Sequence, residues 1–235
     1  MSEHISSAYD RDLDVIQTKV MQMGGMVEQA ITQAIKALET KDIELAQTVR
    51  AADKAIDALE LEINEEAARV IALRAPVSKD LRSILIVMKL TASLERIGDY
   101  AKNIAKRTAT LTDMDDIAGA SSALRRMARE VQAMLRDLLG AYLSSDVAQA
   151  EDVRERDHDV DQMYNALFRE FLTFMMEDPR NITACMHFHF MAKNIERMGD
   201  LVTNMAEQVI YLGTGEMPDD ARQKADQTTT VSGLN

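Results

Sequence analysis

Glu95-Arg96-Ile97-Gly98-Asp99-Tyr100-Ala101-Lys102-Asn103 is answered later in the chain by Glu196-Arg197-Met198-Gly199-Asp200-Leu201-Val202-Thr203-Asn204, with Glu, Arg, Gly, Asp and Asn at the same places. Upstream, Ala34 to Asp57 aligns without a gap on Leu138 to Asp161. Ala37/Ala141, Asp42/Asp146, Ala46/Ala150, Val49/Val153, Arg50/Arg154, Asp53/Asp157 and Asp57/Asp161 coincide. The offset shortens from 104 to 101 between the two blocks, so a three-residue difference falls near Pro76 and Pro179. A self-match of this length is the signature of an internal duplication.

Apolar spacing gives each copy its contents. Leu13, Ile16, Val20, Met23, Val27, Ala30, Ala34 and Leu38 keep the three-four alternation of a bundle helix. A second seam runs Val49, Ile56, Ile63, Ala67, Val70, and a third Leu81, Ile84, Met88, Thr91, Gly98. After the acidic break at Asp113-Met114-Asp115-Asp116 come Leu124, Met127, Val131, Met134, Leu138, then Val153, Val160, Tyr164, Leu167, Phe171, Phe174. The sixth seam is Ile182, Cys185, His189, Ala192, Gly199, Thr203, Ala206, Ile210. With only 3 prolines and 9 glycines there is little to interrupt them. The pattern predicts an all-α protein of two tandem three-helix bundles, six antiparallel helices of about 25 to 32 residues each, roughly 40–48 Å long. The bundles are expected over residues 1–112 and 117–213, with Pro76 and Pro179 at corners and Asp42 and Asp146 as helix caps. Periodicity stops at Thr214, which predicts a flexible tail over 214–235.

Composition narrows the function. The chain has 235 residues and a net charge of −12, from 27 Lys+Arg against 39 Asp+Glu. That balance disfavours a duplex nucleic-acid binder and unaided docking on an anionic membrane. Hydrophobic residues make up 46 %, enough for a sizeable core. Cys185 is alone, so no intramolecular disulfide framework is available, which suits a reducing compartment. No apolar run approaches a bilayer span, and the first residues lack the pattern of a signal peptide. A cytoplasmic location is expected.

Carboxylates stand where the seams call for apolar side chains. Asp53 lies between Val49 and Ile56, Asp157 between Val153 and Val160, Glu95 between Thr91 and Gly98, and Glu196 between Ala192 and Gly199. A second acid follows one turn on in each case: Asp57, Asp161, Asp99 and Asp200, with Asn103 and Asn204 a turn further. Burying an unpaired ion costs about several kcal/mol, against a total stability of about 5–15 kcal/mol. The acids must therefore protonate, pair with Arg or Lys, or hold a cation. Arg96 and Arg197 directly follow their glutamates and point about 100° away, so the local cations read as few and badly aimed. Metal is the favoured outcome, with Asp53, Asp57, Glu95, Asp99 and Asn103 in one copy and Asp157, Asp161, Glu196, Asp200 and Asn204 in the other. Oxygen ligands suit divalent or trivalent ions such as Mg, Mn or Fe. Gly98 and Gly199 would let a backbone or ligand come close.

The doubled Glu-Arg-x-Gly-Asp-x-x-x-Asn, together with Asp53/Asp57 and Asp80-Leu81-Arg82 after Pro76, resembles the repeated signature of the PhoU family, over about residues 8 to 212. The resemblance implies two three-helix bundles side by side, a metal centre on each built from the acids just named, and dimerisation. It also implies a cytoplasmic negative regulator of phosphate uptake and of the phosphate-starvation response, linking the phosphate ABC transporter to a sensor histidine kinase and meeting the membrane only through those partners. Asn181-Ile182-Thr183 replaces Asp80-Leu81-Arg82 in the second copy, so that motif's role is expected in one half only.

The main rival is a carboxylate-bridged di-metal oxidoreductase. Such bundles carry Glu-x-x-His, whereas the residues three after Glu95 and Glu196 are Gly98 and Gly199, followed by Asp99 and Asp200, with no His. A structural spacer would hold no metal. No phosphate-cradling glycine loop or nucleophile–base pair is recognisable, so a non-enzymatic role is expected. His158 lies between Asp157 and Asp161 but off their face, and His187 and His189, two apart, cannot chelate as a pair.

Overall fold

The computed structural model describes residues 2–114 and 116–218; residues 219–235, most of the expected tail, lie outside it. Among the described residues seven α-helices follow in order: α1 (Ser2–Thr40), α2 (Ile43–Arg74), α3 (Lys79–Leu111), α4 (Ala120–Ser144), α5 (Val147–Glu155), α6 (Asp157–Glu177) and α7 (Ile182–Thr214), with a 3₁₀ turn at Pro179–Asn181. Among the described residues there is no strand. Helices α1, α2 and α3 pack on one another as the first bundle; α4, the α5–α6 rod and α7 form the second. The bundles meet first helix to first helix, α1 on α4, and third to third, α3 on α7. The middle helix of each copy is thereby left on the outside.

The seams are the core. Ile16, Val20, Met23 and Val27 of α1, Ile56 and Ile63 of α2, and Ile84, Leu94 and Ile97 of α3 are buried, as are Leu124, Val131, Leu138, Val160, Phe171, Cys185 and Ile195 in the second copy. The duplication extends to single hydrogen bonds. Asp42 caps α2 by accepting from Leu45 N at 2.9 Å, and Asp146 caps α5 by accepting from Gln149 N at 3.0 Å. Each of these aspartates also donates its own N–H at 2.9 Å to a carbonyl five residues back, Ala37 and Ala141. Pro76 and Pro179 occupy the corners. Ala75 ends α2 in the left-handed region, and Pro179 opens the 3₁₀ turn, where Asp178 accepts from Arg180 N.

One feature departs from the sequence reading, and a second concerns a motif that it left to one half. The fifth expected helix is divided at Arg156. That side chain is drawn across to α4, where it pairs with Glu130 at 2.9 Å and Asp137 at 2.6 Å. The backbone tightens there, Asp159 N donating to Arg156 O at 3.0 Å, and α6 restarts with Asp157 and Asp159 in its first turn, where the helix dipole favours acids. The second concerns Asp80-Leu81-Arg82. Arg82 leaves its own bundle, donates to Tyr211 O at 3.3 Å and lies 4.7 Å from the centre of the Tyr211 ring. The counterpart Asn181-Ile182-Thr183 carries no arginine at the matching place.

Candidate functional site: two acidic grooves

Each groove lies between the middle and third helices of its copy. The paired glycines set the approach. A Cβ on Gly98 would stand 3.1 Å from Ile56 Cδ1 and 3.9 Å from Asp53 Oδ1; one on Gly199 would stand 3.3 Å from Val160 Cγ1 and 3.7 Å from Asp157 Oδ1. The glycine of each third helix therefore lies close against the middle helix, near its first aspartate.

In the first groove Asp53 is 6 % exposed, Glu95 and Asp99 are half-buried, and Asp57 and Asn103 are exposed. The four acids share one field. Burial first, then the Asp99 carboxylate with Glu60, Asp57 and Asp53, pushes Glu95 above the usual glutamate range. Burial, then Asp53, raises Asp57 as well, against the pull of Lys102. Lys102 corrects the expectation that local cations are badly aimed. Its Nζ lies 2.5 Å from Asp53 Oδ2 on α2 and also bonds Asp99 Oδ1 on its own helix, α3. Burial alone would push Lys102 down, but the hydrogen bonds to Asp53 and Asp99 hold it well above the usual lysine range. The three-residue spacing from Asp99 was the available signal; the reach to Asp53 depends on packing.

The second groove uses the same acids differently. Asp161 is buried where its counterpart Asp57 is exposed, and Asp157 is half-buried where Asp53 is fully buried. Glu196 is 5 % exposed, Asp200 is half-buried and Asn204 is exposed. Lys193 Nζ donates to Glu196 Oε1 at 2.8 Å and lies 4.9 Å from the centre of the Tyr164 ring. Glu196 Oε2 is buried with no hydrogen-bond partner. Burial pushes Glu196 up, opposed by Lys193 and reinforced by Asp200 and Asp161. Arg96 and Arg197 are exposed, as expected, and His158 is exposed beside Gln162.

The side chains fit a cation unequally. Among the described residues no three Asp, Glu, His or Cys side chains already converge as a ligand set. In the first groove the Lys102 ammonium stands between two of the expected ligands. In the second, a desolvated carboxylate oxygen lacks a partner, which is costly unless a cation or proton satisfies it. Hard carboxylate oxygens of this kind suit Mg, Mn or Fe.

Fold and site together define a duplicated helical-bundle protein with an acidic groove on each copy. Comparison with known proteins makes the assignment specific: the PhoU domain model matches residues 20–108 and 124–209, and the chain belongs to the PhoU family. It is 45 % identical over 226 residues to the phosphate-specific transport system accessory protein PhoU homolog of Caulobacter vibrioides, covering 96 % of this chain and 98 % of that protein. It is 38 % identical over 216 residues to phosphate-specific transport system accessory protein PhoU of Escherichia coli K12, covering 92 % and 89 %. The crystal structure of PhoU from Pseudomonas aeruginosa superposes with a TM-score of 0.85 at 36 % identity, covering 88 % of this chain and all of that one.

Proposed function

We propose that this protein is a non-enzymatic accessory regulator of phosphate transport, restraining phosphate uptake and the phosphate-starvation response. The observation that carries the reading is the doubled PhoU domain, with relatives named as phosphate-specific transport system accessory proteins matching along nearly their whole length. The mechanism is contact between proteins. As a cytoplasmic homodimer it engages the phosphate ABC transporter's cytoplasmic side and the sensor histidine kinase, and phosphate sufficiency favours the silencing complex. No helix among the described residues is long and apolar enough to cross a membrane, consistent with a membrane encounter made through those partners.

The acidic grooves bind divalent or trivalent metal in this reading. The ligands are drawn from Asp53, Asp57, Glu95, Asp99 and Asn103 in the first copy and from Asp157, Asp161, Glu196, Asp200 and Asn204 in the second. These residues would supply the oxygen face, and a metal held by them would contribute positive charge between the middle and third helices. The regulatory role is tested by deleting the gene in the source organism under phosphate-replete growth. Expression of phosphate-scavenging genes is expected to rise, and unchanged expression contradicts the role.

A further inference from the structure

The first helices of the two copies meet side by side, and their polar side chains form rungs between them. Glu28 of α1 pairs with Arg136 of α4, Thr32 accepts from Gln132 Nε2 at 2.7 Å, and Glu39 pairs with Arg125 Nη1 at 3.0 Å. Between the last two rungs the matching of partners fails. Lys36 of α1 and Arg129 of α4 line the groove there, over the buried Ile35 and Ala128. Both cations are exposed, and among the described residues neither side chain has a hydrogen-bond or ion-pair partner. Arg125 spends Nη1 on Glu39 while its Nε is buried without a partner, so a guanidinium of five donors has capacity left. In a chain of net charge −12, this groove gathers Lys36, Arg125 and Arg129 against Glu39 alone. Its volume of about 170 Å³ is far larger than the about 10–15 Å³ that a single water needs.

We propose that the groove between α1 and α4 binds a phosphoryl oxyanion, either inorganic phosphate or the phosphate of a small monoester. Arginine forks match phosphate oxygens, and lysine adds a compact positive charge. Lys36 and Arg129 are like charges on facing helices, and an anion between them replaces repulsion by two attractions. A tetrahedral dianion has oxygens enough for all three cations, whereas a carboxylate with two oxygens serves fewer donors. The exposed position of Lys36 and Arg129 leaves room for an ester group to project into solvent. The inference goes beyond the regulatory reading and uses none of the acids of the metal reading. Because the groove joins the first helix of one copy to the first helix of the other, its occupant tightens the contact between the bundles.

The test is equilibrium dialysis of the full chain against labelled inorganic phosphate, in EDTA and at fixed ionic strength, so that neither metal nor bulk salt contributes. Saturable uptake is expected, with an unfolding temperature raised by phosphate beyond chloride of the same ionic strength. Lys36→Gln/Arg129→Gln is expected to weaken binding on the order of tenfold or more. Its unfolding temperature in chloride checks that the fold is kept, and Arg129→Gln alone serves if the pair prevents folding. Lys79→Gln removes an exposed lysine from the other end of α1, where Tyr9 donates to Asp80 O, and should bind phosphate like the wild type. Glycerol 3-phosphate is the second probe: tighter binding than phosphate assigns the site to a monoester, weaker binding to the free ion, and either supports the proposal. Absence of saturable uptake by the wild type, undiminished affinity in the double variant, or greater stabilisation by acetate than by phosphate overturns it. None of these results bears on the metal reading.

Discussion

At the residue scale, the acids were legible because carboxylates interrupt seams that are otherwise apolar, and the duplication showed the interruption twice. Their partners were less so. Lys102 and Lys193 lie three residues from Asp99 and Glu196, a spacing open to inspection, but bridging to Asp53 exists only once α2 packs on α3. Glu196 and Glu95 occupy matched sequence positions yet differ in burial, which no local pattern encodes. His189 carries a further prediction. It stacks on Tyr164 with ring centres 5.9 Å apart and lies 5.2 Å from Phe168, and its Nδ1 is buried without a partner. Burial, then Lys193, lowers its pKa below 6.5. As pH falls through about 6.5, the unfolded chain therefore gains a proton before the folded one, and stability drops. His189→Phe should narrow the difference in unfolding temperature between about pH 7.5 and pH 5.5; an undiminished difference would show that His189 contributes nothing to it.

At the scale of elements, helix positions followed from a period maintained over many turns, and caps and corners from Asp42, Asp146, Pro76 and Pro179. The division at Arg156 did not, because no proline or glycine marks it. Its causes, Glu130 and Asp137, sit on α4, far back in the sequence. The acids beyond that break differ from their counterparts, Asp161 being buried where Asp57 is exposed. Gly24 and Gly25 give adjacent positions of α1 opposite predicted signs. A Cβ at Gly24 would fall 2.3 Å from Leu139 Cδ1, in the buried contact between α1 and α4, whereas one at Gly25 meets nothing within 4 Å. Gly25→Ala should raise stability by about 0.5–1 kcal/mol through helix propensity. Gly24→Ala should lower it by about 1–3 kcal/mol through overpacking. Denaturant unfolding of the two variants distinguishes them, and a shift of the same sign in both would contradict the close contact of the bundles at Gly24.

At the scale of the whole molecule, duplication is both the fold and the source of its asymmetry. Pairing α1 with α4 and α3 with α7 leaves each acidic groove between an outer middle helix and a third helix that also faces the other copy. Polar ties hold the halves together. Gln132 donates to Glu28 O at 3.0 Å and Thr32 Oγ1 at 2.7 Å, Lys89 donates to Gln208 at 3.0 Å, and Arg82 reaches Tyr211. The two-bundle arrangement was legible from repeat and period; the choice of facing helices was not, because seams report that a face is buried and not against what. The central claim is that the grooves are completed by metal. Elemental analysis of protein purified without chelator tests it most directly, comparing wild type with Asp99→Ala/Asp200→Ala. The account predicts about one or more metal ions per chain in the wild type and marked loss in the double variant, with lowered stability. Equally little metal in both, with no difference in stability, would contradict it.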